Sequence, residues 1–257
     1  MSFDGEKGDH RHETEQDTVR IYGRLLFDVG SAGFRLFLER TFYLTLLIGK
    51  GIIRLRSMAR KTAARKESSV KITTILGSPK KHGNTAAALK MFEDLVSGEH
   101  QVERFNLADV EVKGCRGCNA CKKNPDEPAC IQQDDAGEIL GSIISSEAVV
   151  YACPLYCWSC PAELKALLDR HYSLVTGYGT PDFRSLAAGT RAALLVTCAG
   201  PVENNADLIQ TMFDRMAAFA QLDLAGTYIL PGCTTPDAVG DAAKDLARKM
   251  AGEILER

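Results

Sequence analysis

The densest chemistry in this sequence is a run of cysteines. Cys115-Arg-Gly-Cys118-Asn-Ala-Cys121 is followed, after eight residues, by Cys130. Three thiols at this x-x spacing return to the same centre with each turn of a loop, which suits a cluster of iron and sulfide. No second set of the same kind exists, so Cys130 would have to supply the fourth ligand. A Cys₄ zinc site competes with this reading, although zinc prefers paired C-x-x-C modules. A redox-active thiol pair competes as well. The other five cysteines, Cys153, Cys157, Cys160, Cys198 and Cys233, read as packing or loop residues. Cys157 and Cys160 form a C-x-x-C pair but lack a thioredoxin-like setting.

A second candidate is the turn Gly77-Ser-Pro-Lys-Lys-His-Gly83-Asn84-Thr85, which follows an apolar strand and precedes an amphipathic stretch. Glycines let the backbone approach a ligand, and the start of a helix points free N–H groups at an anion. Ser78, Lys80, Asn84 and Thr85 add hydroxyls, an amide and a charge. The triphosphate signature G-x-x-x-x-G-K-[ST] is absent, since Asn84 stands where lysine should be, and so is G-x-G-x-x-G. A terminal monophosphate held without metal fits better. The plainer alternative is a strand–helix turn capped by Asn84. A third candidate is Cys153-Pro154-Leu155-Tyr156-Cys157-Trp158-Ser159-Cys160-Pro161, which holds the chain's single tryptophan. Proline and aromatics in such a loop make a rigid wall for a flat ring.

These loops need a scaffold, and the 257-residue chain divides near residue 66 to provide one. Residues 1–17 carry six acids and two bases, residues 18–66 eleven bases and two acids, and the remainder is acidic. A body of that sign offers no basic stripe to displace counterions, so nucleic acid is excluded as a partner. Residues 18–66 combine apolar and basic residues at helical spacing: a helical extension that packs on the body, or a basic amphipathic anchor on a membrane. The apolar run Thr41–Gly49 is too short to span a bilayer. An odd cysteine count with tight spacings and no export signal points to the cytoplasm, and an anchor through residues 18–66 would place the chain at the inner face of the membrane.

From residue 67 onward, short β-branched runs alternate with amphipathic stretches. Strands are expected at Val70–Leu76, Gln101–Leu107, Ala148–Ala152, Arg191–Thr197 and Thr227–Leu230. Helices are expected at Thr85–Val96, Ala136–Ile144, Ala162–Tyr172, Ala206–Ala220 and Pro236–Leu255. This alternation argues for an α/β fold with a parallel sheet covered on both faces, with the cysteine-rich segment 114–133 as an insert. Ligands of such sheets lie beyond the carboxyl ends of the strands, where the candidate turns fall.

G-S-P-x-x-x-G-N-T at Gly77, together with P-L-Y-x-W-S-x-P-A-x-L-K-x-x-x-D-R from Pro154 to Arg170, resembles the flavodoxin-like NADPH-dependent FMN reductase superfamily over residues 70–257. The cysteine segment resembles that of its iron–sulfur flavoprotein branch, with a longer last gap. The resemblance implies a doubly wound five-stranded parallel sheet of order 2-1-3-4-5. It also implies FMN, its phosphate on Ser78, Lys80, Asn84 and Thr85, and its ring against Pro154, Leu155, Tyr156, Cys157, Trp158 and Ser159, flanked by the loop Thr197-Cys198-Ala199-Gly200; Cys153, Cys157, Cys160, Cys198 and Cys233 are then packing or loop residues near the flavin. Cys115, Cys118, Cys121 and Cys130 would then hold a [4Fe–4S] cluster exchanging electrons with FMN, in a homo-oligomer reduced by NAD(P)H or a ferredoxin. Some relatives carry cysteines here, before an Asp-Asp pair (Asp134-Asp135 in this chain), without an established cluster. A cluster-free NAD(P)H-dependent FMN or quinone reductase is therefore an alternative, and a membrane-docked FMN-binding regulator is another. Asp169 and Arg170 read as an ion pair at a helix end. No acid–base catalytic residue is required.

Overall fold

In the computed structural model the described residues are 69–256 without Pro236 and Asp237, together with the strand backbones Thr45–Ile48 and Gly51–Arg54. The chain forms two compact units, Met1–Glu67 and Ser68–Arg257. In the first, β1 (Thr45–Ile48) and β2 (Gly51–Arg54) pair antiparallel, Thr45 opposite Arg54. This corrects the helical expectation for that stretch. Thr45, Ile48, Ile52 and Ile53 are β-branched, and only Gly49-Lys50 separates the strands, a glycine-first pair suited to a two-residue hairpin. The rest of the helical extension lies outside the described residues.

The second unit is a five-stranded parallel sheet, β4-β3-β5-β8-β9, built from β3 (Lys71–Leu76), β4 (Gln101–Asn106), β5 (Ala148–Pro154), β8 (Arg191–Thr197) and β9 (Asp223–Leu230). Counting these five in chain order, the arrangement is 2-1-3-4-5. A short antiparallel pair, β6 (Val175–Thr176) and β7 (Arg184–Ser185), precedes β8. Helices α1 (Asn84–Val96), α2 (Ala136–Ile144), α3 (Ala162–Arg170), α4 (Asp207–Phe219) and α5 (Gly240–Leu255) complete the unit. No helix among the described residues is long and apolar enough to cross a membrane.

Alternation along the central strands divides the core in two. Ile72 and Leu76 of β3, with Val150 and Ala152 of β5, pack under Leu89 and Phe92 of α1 and Ala243 and Met250 of α5. Ile75, Val149 and Tyr151 face the other way, onto Ile139 and Ile143 of α2, Leu164 and Leu167 of α3, and Phe213 of α4. The intervening polar side chains are paired: Thr73 Oγ1 lies 2.6 Å from Ser142 Oγ, and Thr74 donates to Glu93 at 2.6 Å. Truncating a buried aromatic such as Phe92 costs about 3–5 kcal/mol in cores of this kind, so the sheet is a stiff platform. The loops that leave its carboxyl edge inherit that stiffness.

Candidate functional site

The turn after β3 is held from below. Gly77 N–H donates to Ala152 O at 2.7 Å, and a side chain at Gly77 would place its Cβ 2.6 Å from Leu164 Cβ. Only glycine permits this approach of turn to helix. Ser78 is buried, and its hydroxyl accepts from Lys80 N–H at 3.1 Å and donates to Lys80 O at 3.3 Å, closing the turn. The N-cap of α1 is Gly83, extended and without a side-chain cap. Asn84, expected to cap the helix if the turn had no further use, is the first helical residue, and its buried Oδ1 has no hydrogen-bond partner among the described residues. Uncapped first-turn N–H groups at the positive end of a three-turn helix are an anion site. Thr85 Oγ1 lies 2.6 Å from Thr197 Oγ1, tying the start of α1 to the end of β8.

The loop after β5 is stiff for another reason. Leu155 N–H donates to Thr197 O at 2.8 Å, and Tyr156 and Ser159 exchange both backbone bonds, at 2.9 and 3.0 Å. The two residues between them, Cys157 and Trp158, have φ of 47° and 62°. Such a turn normally takes Asn-Gly, and left-handed backbone at other L-residues costs about 1–3 kcal/mol each. The result presents Trp158 with 58% of its surface in solvent and Tyr156 with 43%. Strain held for the sake of two exposed aromatic faces points to a surface that is used.

A cleft of about 210 Å³ lies between these loops, lined by Ser78, Lys80, Gly83, Asn84, Thr85, Pro154, Leu155, Tyr156, Thr197, Cys198, Ala199 and Cys233. Eight of the twelve expected residues meet there. Cys157, Trp158, Ser159 and Gly200 do not line it; the first three belong to the strained turn just outside. Thr197, Cys198 and Cys233 complete the wall, brought in by the end of β8 and the loop after β9; the resemblance had set all three near the flavin, while periodicity alone could not, because these segments meet the cleft only through the sheet order. Cys198 and Cys233 donate to Gly200 O at 3.3 Å and Leu230 O at 3.4 Å, and burial raises both thiols. Cys153 and Cys160 belong to the apolar core.

In the cysteine loop, Cys115 and Cys118 are exposed and Cys121 and Cys130 half-buried. Among the described residues no three His, Cys, Asp or Glu side chains are gathered so as to hold a metal ion. Cys121 sits on a short 3₁₀ turn, Ala120–Lys123, and burial raises its thiol while the adjacent Lys122 lowers it. Lys122 Nζ donates to Tyr172 O and, at 2.6 Å, to Val175 O, and lies 3.6 Å from the centre of the Tyr172 ring. The expected Asp169–Arg170 pairing is not formed. Asp169 takes Lys165 at 2.6 Å, one turn back, while Arg170 turns inward to Asp134 at 2.7 Å, where both side chains are buried.

Residues 70–221 match the family described as NADPH-dependent FMN reductase. An iron–sulfur flavoprotein of Methanocaldococcus jannaschii is 34% identical over 192 residues, covering 71% of this chain and 96% of that protein. An iron–sulfur flavoprotein of Methanosarcina thermophila is 33% identical over 105 residues, 39% of this chain and about half (52%) of that one. Among solved structures, an FMN-dependent NADH-azoreductase from Bacillus anthracis in complex with FMN superposes with a TM-score of 0.54 at 18% identity, covering 71% of this chain and 98% of that one. That likeness is one of fold.

Proposed function

This chain belongs to the NADPH-dependent FMN reductase family, in its iron–sulfur flavoprotein branch, and is a flavin-dependent oxidoreductase; from that premise we propose that it binds FMN at the Gly77–Thr85 turn and exchanges electrons between FMN and one [4Fe–4S] cluster on Cys115, Cys118, Cys121 and Cys130. FMN, when bound, supplies one- and two-electron chemistry. The observation that carries the reading is the uncapped start of α1, with the unpartnered buried amide oxygen of Asn84 and the buried Ser78 lining the cleft. The first-turn N–H groups, Ser78 and Thr85 would hold the terminal phosphate and Lys80 would neutralise it. Asn84, with its amide turned over, would donate to the phosphate or accept from the sugar chain. At about 210 Å³ the cleft is smaller than the roughly 300–1,000 Å³ of sites that enclose a whole ligand. It therefore suits the anionic end, leaving the ring to lie outward along Pro154–Ser159 beside Trp158, with Ala199 and Gly200 on its flank.

The cysteine set fits the cluster in donor chemistry, since four thiols on one loop match an all-sulfur set, and a buried cation, Arg170, stands nearby. NAD(P)H is the donor this reading favours, with a ferredoxin as the alternative, and the chain is read as a homo-oligomer. Residues 18–66 remain a proposed membrane or subunit contact. Oxygen-free purification tests the whole: a brown protein releasing FMN, with about four iron and four acid-labile sulfides per chain, is the expected result. Colourless protein that takes up no FMN refutes it. A second reading, a cluster-free NAD(P)H-dependent FMN or quinone reductase, draws on the ungathered thiols of the cysteine loop. It predicts a yellow protein without iron.

A further inference from the structure

Arg170, the last residue of α3, heads the wholly buried side chains in size among the described residues. Its Nη1 donates to Lys113 O at 2.9 Å and to Asp134 Oδ2 at 2.7 Å, and its Nη2 donates to Asp134 Oδ1 at 3.0 Å. The same carboxylate accepts from Lys113 N–H at 3.0 Å and from Ala136 N–H at 3.3 Å. One step further out, Glu111 N–H donates to Asp135 Oδ2 at 2.7 Å, Asp135 N–H to Glu111 O at 3.0 Å, and Gln132 to Gly114 O at 3.1 Å. Residues 111–114 and 132–136 are thus two stems pinned together, and the segment between them is the one that carries all four clustered cysteines. A guanidinium does this better than an ammonium, because its planar fork matches a carboxylate two bonds at a time.

One donor remains. Arg170 Nε–H is buried and has no hydrogen-bond partner among the described residues. Buried donors are nearly always paired, so an orphan on a residue that otherwise makes three short bonds calls for an acceptor. Burial works against the charge of Arg170, but Asp134 outweighs it; the charged group grips Lys113 O, two residues from Cys115, at the mouth of the cysteine loop.

We propose that Arg170 is a positioning residue for the sulfur centre: its forked edge closes the neck of the cysteine loop on Asp134 and Lys113, and its Nε–H is reserved for a cysteine-bound sulfur of the loaded loop. The second half rests on the cluster reading given above; the first holds for the metal-free chain. Donors and positive charge beside the sulfurs favour the more negative, reduced form of a cluster and so raise its potential.

The test uses the full chain with Arg170→Met and Arg170→Lys, each checked by protected β3 and β5 amides and by bound FMN. In the metal-free proteins, hydrogen exchange across 111–114 and 132–136 is expected to rise about tenfold or more in Arg170→Met, with the sheet unchanged. Unaltered exchange there overturns the clamp. Where Arg170→Met does not fold, Asp134→Asn, which removes the other half of the fork, is read in the same way. In the reconstituted proteins, an anaerobic redox titration followed by electron paramagnetic resonance is expected to give a lower cluster potential in Arg170→Met than in wild type, with Arg170→Lys between. Equal potentials in all three overturn the donor assignment. Variants that keep FMN and fold but assemble no cluster, where wild type does, support the clamp if their necks exchange faster and overturn it if they do not. Wild type that assembles no iron and sulfide refutes the cluster reading and the donor role with it, while the exchange result still decides the clamp.

Discussion

Gly77→Ala adds one methyl group where the turn and α3 leave no room for it. The new Cβ would lie 2.6 Å from Leu164 Cβ, 3.0 Å from Leu164 Cδ2 and 3.1 Å from Leu164 Cγ. A rotamer change of Leu164 clears the last two contacts but not the first, because Cβ is fixed to the helix. Either α3 or the turn must shift, and overpacking of this type costs about 1–3 kcal/mol. If the turn shifts, the uncapped start of α1 moves with it, and FMN affinity falls along with stability. Urea denaturation with a parallel FMN titration reads both effects. The double variant Gly77→Ala/Leu164→Ala makes the argument sharp. Alanine keeps the offending Cβ, so removing the rest of the leucine adds its own cavity cost of about 2–5 kcal/mol and relieves little of the first. A Gly77→Ala protein of unchanged stability, or full compensation by Leu164→Ala, would refute the claim that Gly77 is needed for close approach to α3.

Asn84→Ala should weaken FMN binding about tenfold, the worth of one hydrogen bond to a charged group, with little change in urea midpoint, as followed by flavin fluorescence. Cys157→Gly should leave stability unchanged or raise it by up to about 1 kcal/mol in urea denaturation, because it relieves a left-handed residue at the cost of a looser unfolded chain. His171, wholly buried, lies 3.0 Å from Leu167 O at Nδ1 and 2.7 Å from the Tyr151 hydroxyl at Nε2, so Nδ1 carries the proton, and burial pushes its pKa down to about 4. The unfolded chain takes up a proton near pH 6.5 and the folded one does not, so His171 should remove on the order of 3 kcal/mol of stability between pH 7 and 4; below that the loss continues through Asp134 and Glu103, whose partners hold their carboxyls low. In His171→Asn the share of the slope between pH 7 and 5 should disappear from the urea midpoints.

How far the residues foretold this arrangement depended on whether the signal was local. The central strands and α2 could be read off because buried parallel strands are continuous apolar runs and the helices repeat with a 3.6-residue period. Arg191–Thr197 and Ala136–Ile144 emerged with their expected bounds. β9 begins four residues earlier than expected, at Asp223, since an edge strand tolerates Asp and Gly that a propensity reading rejects. The β6–β7 pair went unforeseen because two residues a side give no period, and Thr45–Arg54 because an apolar run with a basic rim resembles a helix until β-branching is weighed. The turn at Cys157-Trp158 carries none of the Gly or Asn that signals left-handed backbone. Its geometry comes from the paired bonds of Tyr156 and Ser159. Arg170 looked like a helix-end charge because its partner lies 36 residues away in sequence.

That last pairing bears on how the two candidate centres are related. α3 meets the Gly77–Thr85 turn through Leu164 at Gly77 and the neck of the cysteine loop through Arg170, six residues later. At 1.5 Å per residue those contacts are about 9 Å apart along the axis of one short helix. Electron exchange between two centres depends on a fixed separation, and a rigid element gripping both supports is the economical way to hold it. The glycine that admits the helix at one end and the guanidinium that ends it at the other are then parts of a single spacer. On this view Gly77→Ala, by pressing on the first turn of α3, should also speed hydrogen exchange at the cysteine neck, where no residue has been changed. A neck that exchanges as in wild type, in a Gly77→Ala protein with weakened FMN binding, would show that the two supports move independently and that α3 does not couple them.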